Sequence, residues 1–231
     1  MRHPFRMAAA AAAVAITAGS AFSGAASAAT SGSGLTDVKA RAAAAISARV
    51  TSLNSAITAV NNNKWLTSTD KSTALQTLNN DVSGLTALGQ KIQGDTTLSQ
   101  AVADYRTIFT GYRVYLLALP QIRLAAASDD LSTGVVPHLT DAQTRLQNLL
   151  NGKDQGKNSS SVQAAMADLA KQIQAITQET NGLSGAVLAY TPAQYDANTT
   201  ILRPARTAIQ TARADAKTAR QDVRTVIEAL R

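Results

Sequence analysis

Three groups of residues have the types and spacing that chemistry requires. The first is "YRTIFTGYR" at 105–113, where a Tyr-Arg pair occurs twice, seven residues apart, with Tyr115 close behind. Tyr105, Tyr112 and Tyr115 offer faces on which sugar rings or bases can stack, while Arg106, Arg113 and Arg123 offer planar donor forks for acidic groups. The same residues suit a helix seam, with the rings filling it and the arginine stems lying over them. The second group is Arg206, Arg213, Lys217, Arg220, Arg224 and Arg231, strung along one side of a heptad pattern. It reads either as a rail for an anionic polymer or as a coiled-coil flank that sets helix pairing through interhelical ion pairs. Asp215, Asp222 and Glu228 are interleaved with these cations and are expected to break up their field. The third group is His138 with Asp141, and Asp129 and Asp130 one bend earlier. A weak hydrolytic metal site is the one catalytic reading they suggest. Their spacing matches no recognised ligand pattern, and acids at helix ends commonly act as caps.

Other chemistries lack their residues. The chain has no cysteine, which removes disulfides, thiol nucleophiles and thiolate metal ligands. It contains no glycine-rich phosphate loop, no nucleophile elbow and no HExxH, so no cofactor and no enzymatic role are expected.

Helices must position these groups. Ile46, Val50, Leu53, Ile57 and Val60 step by four and three, predicting a helix from about Thr36 to Asn61 with Thr36 and Asp37 at its cap. Ser68 or Thr69 caps the next, built on Leu75, Leu78, Val82, Leu85 and Ile92 and ending at Gly94. A long third segment carries Leu98, Val102, Tyr105, Phe109, Tyr112, Leu116 and Leu119 on its seam and continues on Leu139, Ala142, Leu146 and Leu149 to Asn151. Pro120 should kink it, and Gly134 with Pro137 should bend or interrupt it again. A polar loop, "NGKDQGKNSSS", precedes a fourth helix over about 161–183. Thr191-Pro192 predicts a single capped turn, and a last helix with an alanine-rich seam runs to the C-terminus.

At the N-terminus, Arg2 and Arg6 precede an apolar run, and Ala26-Ser27-Ala28 fits the small-x-small pattern of signal-peptide cleavage. The run is too short to serve as a permanent membrane anchor. Without those two arginines the chain carries 20 basic against 15 acidic side chains, a net +5. That favours anionic surfaces and does not point to specific nucleic acid recognition.

"LTDVKAR" at 35–41 recurs as "LTDAQTR" at 139–145, each copy opening a predicted helix. The expected fold is therefore all-α: an elongated antiparallel bundle, open to reading as two tandem three-helix bundles that share a long kinked central helix. Residues 1–28 read as a signal peptide, 29–34 as a flexible leader, 35–120 as a first bundle and 121–231 as a second one continuous with it.

The stretches "DYRTIFTGYRVYLLALPQIRLAAASD", "LAYTPAQYDAN" and "ARTAIQTARADAKTARQDV" resemble a group of exported, alanine-rich helical proteins of high-GC Gram-positive bacteria. Between the first two of them, "STGVVPHL" at 132–139 departs from an uninterrupted helix. The resemblance implies a secreted or envelope protein and brings no assigned activity with it. The expectation is a secreted, non-catalytic structural or interaction protein, held to an anionic cell-wall polymer or to a protein partner. Its binding residues would be Tyr105, Arg106, Tyr112, Arg113 and Tyr115, or Arg213, Lys217, Arg220 and Arg224. The alternatives are a carrier holding a small hydrophobic ligand between helices near Gly111 and Pro120, and a weak metal-dependent envelope hydrolase.

Overall fold

A computed structural model describes residues 30–231, with side chains described from residue 33 onward. The expected signal peptide at 1–28 lies outside the described residues. Among those described the chain is all-α, with no strand. Its helices are α1 (Thr30–Asn62), α2 (Ser68–Gly94), α3 (Leu98–Thr110), α4 (Leu119–Asp129), α5 (Val136–Asn151), α6 (Ser160–Thr180), α7 (Leu183–Leu188), α8 (Pro192–Ala197) and α9 (Arg203–Ala229). No helix among the described residues is long and apolar enough to cross a membrane.

The heptads of α1, α2 and α9 bury the residues their spacing selects: Ile46, Leu53 and Val60; Leu78, Leu85 and Ile92; Ile209, Ala212, Ala216, Ala219 and Val226. Two boundaries move. Helix α1 begins at Thr30, inside the stretch expected to be a flexible leader, so Thr36 and Asp37 lie within the helix rather than at its cap. Helix α2 is capped one residue earlier than expected, by Thr67, whose hydroxyl accepts the Asp70 N–H at 3.1 Å. The turn at Thr191-Pro192 forms as expected, with a reciprocal capping box between Thr191 and Gln194.

The middle segment is not one kinked helix. It breaks at Gly111–Arg113, where Arg113 adopts a left-handed conformation at φ 47°, costing about 1–2 kcal/mol for a residue with a Cβ. The seam also differs from the expected one within α3 itself, before the break. Ala101 and Ile108 are buried in α3 with Tyr105 half-buried beside them, whereas Leu98, Phe109 and Leu116 stand exposed. Beyond the break the helical winding changes before each of the two prolines. A π-helical turn precedes each of them, at Val114–Ala118 and Asp130–Val135. Leu119 N–H reaches five residues back to the Val114 carbonyl, and Val136 N–H likewise to Leu131, each on the residue just before the proline. The wider turn absorbs the donor that proline lacks, so helical winding continues into α4 and α5.

Burial divides the protein into two main cores. One gathers α1, α2, α3 and part of α4 around Leu53, Leu78, Leu85 and Ile108. The other gathers α5, α6 and α9 around Leu146, Leu169, Ile176 and Ala216. The first core takes in Ile122, Ala125 and, from the second half of the chain, Leu188. The division therefore falls within α4 rather than at residue 120.

Where the halves meet, polar groups are buried beside a third apolar cluster of Leu117, Val187, Leu202 and Ala205. Gln121, Ser128, Asp129, Thr180 and Ser184 are the buried polar or charged residues among those described. Gln121 donates to the carbonyls of Val187 and Tyr190 at 2.7 and 2.8 Å. Asp129 accepts the Thr67 N–H at 2.9 Å, and Ser184 donates to Asp70 at 2.8 Å. Hydrogen bonds have direction and fixed length, so this joint sets one docking geometry where apolar contact alone would allow several.

Candidate functional site

The Tyr-Arg repeat does not assemble one platform. Tyr105 and Tyr112 are half-buried and pack against the first core. Tyr112 lies over Gly84 of α2, where an added Cβ would stand 2.6 Å from its hydroxyl oxygen. Tyr115 remains 46% exposed, its hydroxyl 3.2 Å from Ser52 Oγ. Arg106 is exposed, while Arg113 is engaged with Asp196 of α8, its Nη2 2.6 Å from the carboxylate. That pair joins two of the stretches that carry the sequence resemblance and holds the left-handed turn in place.

Arg49 of α1 escapes a reading of the sequence. Its guanidinium lies 4.4 Å from the Phe109 ring centre and 5.1 Å from that of Tyr115. The exposed rings are thus covered by a cation from 60 residues or more upstream, a distance at which no local spacing gives a signal. Around Gly111 and Pro120, the expected ligand gap, Val114, Leu117 and Ala118 are 1–3% exposed. Gly111 serves as the C-cap of α3.

Asp81 of α2 sits half-buried near Tyr112, and burial pushes its carboxyl up to about 6. A carboxyl raised in the folded state contributes stability that is fully present below its unfolded value, near 4, and is lost as pH rises through about 6. Solvent screens this half-buried carboxyl, so Asp81→Asn should raise the unfolding free energy at pH 7.5 by only about 1 to 2 kcal/mol and leave it nearly unchanged at pH 3, as urea titrations at the two pH values would report.

His138 is exposed and meets the Trp65 ring edge-on, with ring centres 6.3 Å apart. Asp141 pairs with Arg145 at 2.9 Å, and Asp129 is turned to Thr67. Among the described residues no three histidine, aspartate or glutamate side chains group as a set that could hold a metal ion.

The last helix is arranged differently from what its linear sequence suggests. At about 100° per residue, Arg206, Arg213, Lys217, Arg220 and Arg224 fall in an arc about 60° wide, with Arg231 continuing it beyond the helix end. All six are exposed. None makes an ion pair among the described residues, so the interhelical pairing expected of a coiled-coil flank does not form. Asp215 and Asp222 do not interrupt the row. They lie on the opposite flank, half-buried, with Asp222 facing Asp168 of α6. Burial, and then Asp168, push the Asp222 carboxyl upward from its ordinary value. Glu228 is the one acid of α9 on the side of the cations. From Arg206 to Arg224 the row extends about 27 Å at 1.5 Å per residue. The seam beneath it is alanine-rich, with Ala205, Ala212, Ala216 and Ala219 buried, so the helix docks closely on its neighbours and leaves the long cationic side chains outward.

Comparison with protein-family models, with curated proteins and with solved structures gives no match.

Proposed function

We propose that this chain is an exported, non-catalytic binding module that holds a linear anionic polymer of the bacterial cell surface along the basic flank of α9. The observation that carries the reading is the separation of charge on that helix: six exposed cations in one row, without ion pairs among the described residues, and Asp215 and Asp222 turned to the far side. Cations held in a row meet successive charges of an extended polymer and release its counterions on binding. The apolar leader with its Ala26-Ser27-Ala28 site, and the resemblance to exported alanine-rich proteins, support a location outside the cell. Because α9 is anchored through its alanine seam, the row is preorganised, and little side-chain packing must change on binding.

The test uses isolated Gram-positive cell walls. The protein should sediment with them and be released by salt. Changing Arg213, Lys217, Arg220 and Arg224 together to glutamine should abolish sedimentation while leaving the helical circular dichroism intact. Retention of wall binding by that variant would rule the basic flank out as the contact.

A further inference from the structure

Beside Arg220 the flank opens onto a cleft of about 320 Å³ lined by Trp65, Asp130, Gly134, Val135, His138, Leu139 and Arg220. It forms where the α1–α2 connection docks on the π turn before α5. The Asn63 side chain accepts the N–H groups of Trp65 and Leu66 at 2.8 and 2.9 Å, and the Thr133 hydroxyl donates to the Trp65 carbonyl at 2.8 Å. The indole packs against Gly134, where an added Cβ would stand 3.2 Å from two of its ring carbons. The backbone and one side of the ring are thus held firmly, yet Trp65 remains 42% exposed. A large aromatic kept in solvent by a fixed loop is unusual, because burying it would be worth a few kcal/mol.

The polar groups around the ring are equally uncommitted. Asp130, His138, Arg220 and the Trp65 indole N–H make no hydrogen bond to the protein among the described residues. An acceptor, an imidazole, a guanidinium and an N–H donor therefore converge on one exposed aromatic surface. The volume is at the low end for small-molecule sites, about 300 to 1,000 Å³, which suits one ring rather than an oligomer.

We infer that this cleft binds a single sugar ring bearing one anionic group, as a unit of the polymer that α9 holds. The apolar face of a pyranose fits the indole, its hydroxyls suit Asp130 and His138, and its carboxylate or phosphate suits Arg220. A nucleobase is the other ring that an indole can stack. Strands of nucleic acid call for successive aromatic platforms, whereas among the described residues Trp65 is the one aromatic platform lining this cleft. The inference rests on the polyanion reading, since Arg220 belongs to both the row and the cleft.

Trp65 is the chain's one tryptophan, so intrinsic fluorescence reports this cleft directly. The protein is titrated with trigalacturonate, an anionic sugar; with maltotriose, a neutral one; with tripolyphosphate, an anion without a ring; and with a short oligo(dT). Trigalacturonate should change the Trp65 emission saturably and bind about tenfold or more tightly than maltotriose. Tripolyphosphate should bind by calorimetry without the emission change. His138→Ala and Arg220→Gln, both at exposed positions, should each weaken trigalacturonate about tenfold, and only Arg220→Gln should also weaken tripolyphosphate. Binding of tripolyphosphate with no response to trigalacturonate would overturn the sugar cleft and leave the basic row standing. The reverse pattern would keep the cleft and remove the row. A tighter and larger response to oligo(dT) would replace the sugar with a nucleic acid strand, and no binding of any probe would end both readings.

Discussion

Asp129→Ala is expected to lower the unfolding free energy by about 3 kcal/mol, although the residue lies outside both apolar cores. Its carboxylate is 2% exposed and accepts the Thr67 backbone N–H at 2.9 Å. Thr67 is the N-cap of α2, and its hydroxyl contacts Asp70, which in turn receives the Ser184 hydroxyl. Truncating Asp129 leaves a buried donor without its acceptor and loosens the end of α2, the π turn and α7 together. Burial holds the Asp129 carboxyl above the usual carboxylate range, with the Thr67 N–H and the Ser184 hydroxyl drawing it back and nearby Asp70 raising it. Asp129→Asn keeps an acceptor without the buried charge and should cost no more than about 1 kcal/mol. Urea unfolding of the two variants separates these outcomes. Equal losses would mean that the joint depends on charge rather than on the hydrogen bond.

The joint also marks how far the sequence could be read. Residues at heptad spacing in α1, α2 and α9 are buried where that spacing placed them, because an apolar stripe on a helix has no better destination than a core. Gln121, Ser128 and Asp129 gave no such signal. Polar residues lie at the surface in most proteins, and these three are buried only because partners from α7, the end of α6 and the 63–67 connection reach them. Arg113 is similar. Nothing about an arginine announces a left-handed conformation, and the helix expected to run on through "YRTIFTGYR" breaks there. The prolines at 120 and 137 were visible, and their consequence was not. A π turn is itself one way in which a helix bends, and nothing in the residues before the prolines announces one.

The candidate site was legible in its residues and misread in its arrangement. Along the chain, Asp215 and Asp222 alternate with the cations of α9 and seem bound to neutralise them. Around the helix they lie on the opposite flank, since residues about half a turn apart face opposite ways. The Tyr105–Tyr115 region went the other way. Five residues expected to form one surface are divided: Tyr105 and Tyr112 join a core face, Arg113 an ion pair with Asp196 and Tyr115 a ring pair beneath Arg49, while Arg106 faces solvent. The cleft at Trp65 joins residues far apart in sequence, and no spacing within the chain could have revealed it.

The second large effect belongs to the basic row. Replacing Arg213, Lys217, Arg220 and Arg224 by glutamine should weaken binding to a linear polyanion by at least about 100-fold at moderate salt, since each cation near an anionic surface contributes about 1 kcal/mol. Stability should change little, because all four side chains are exposed and make no ion pair among the described residues. The most direct measurement is the affinity for long-chain polyphosphate as a function of salt concentration. For six cations in a row, the logarithm of the binding constant should fall with the logarithm of salt at a slope near −4, at about 0.7 per neutralised charge. The fourfold variant should fall at a slope near −1. A slope close to zero in the unaltered protein, or one that the four substitutions leave unchanged, would contradict the role assigned to α9.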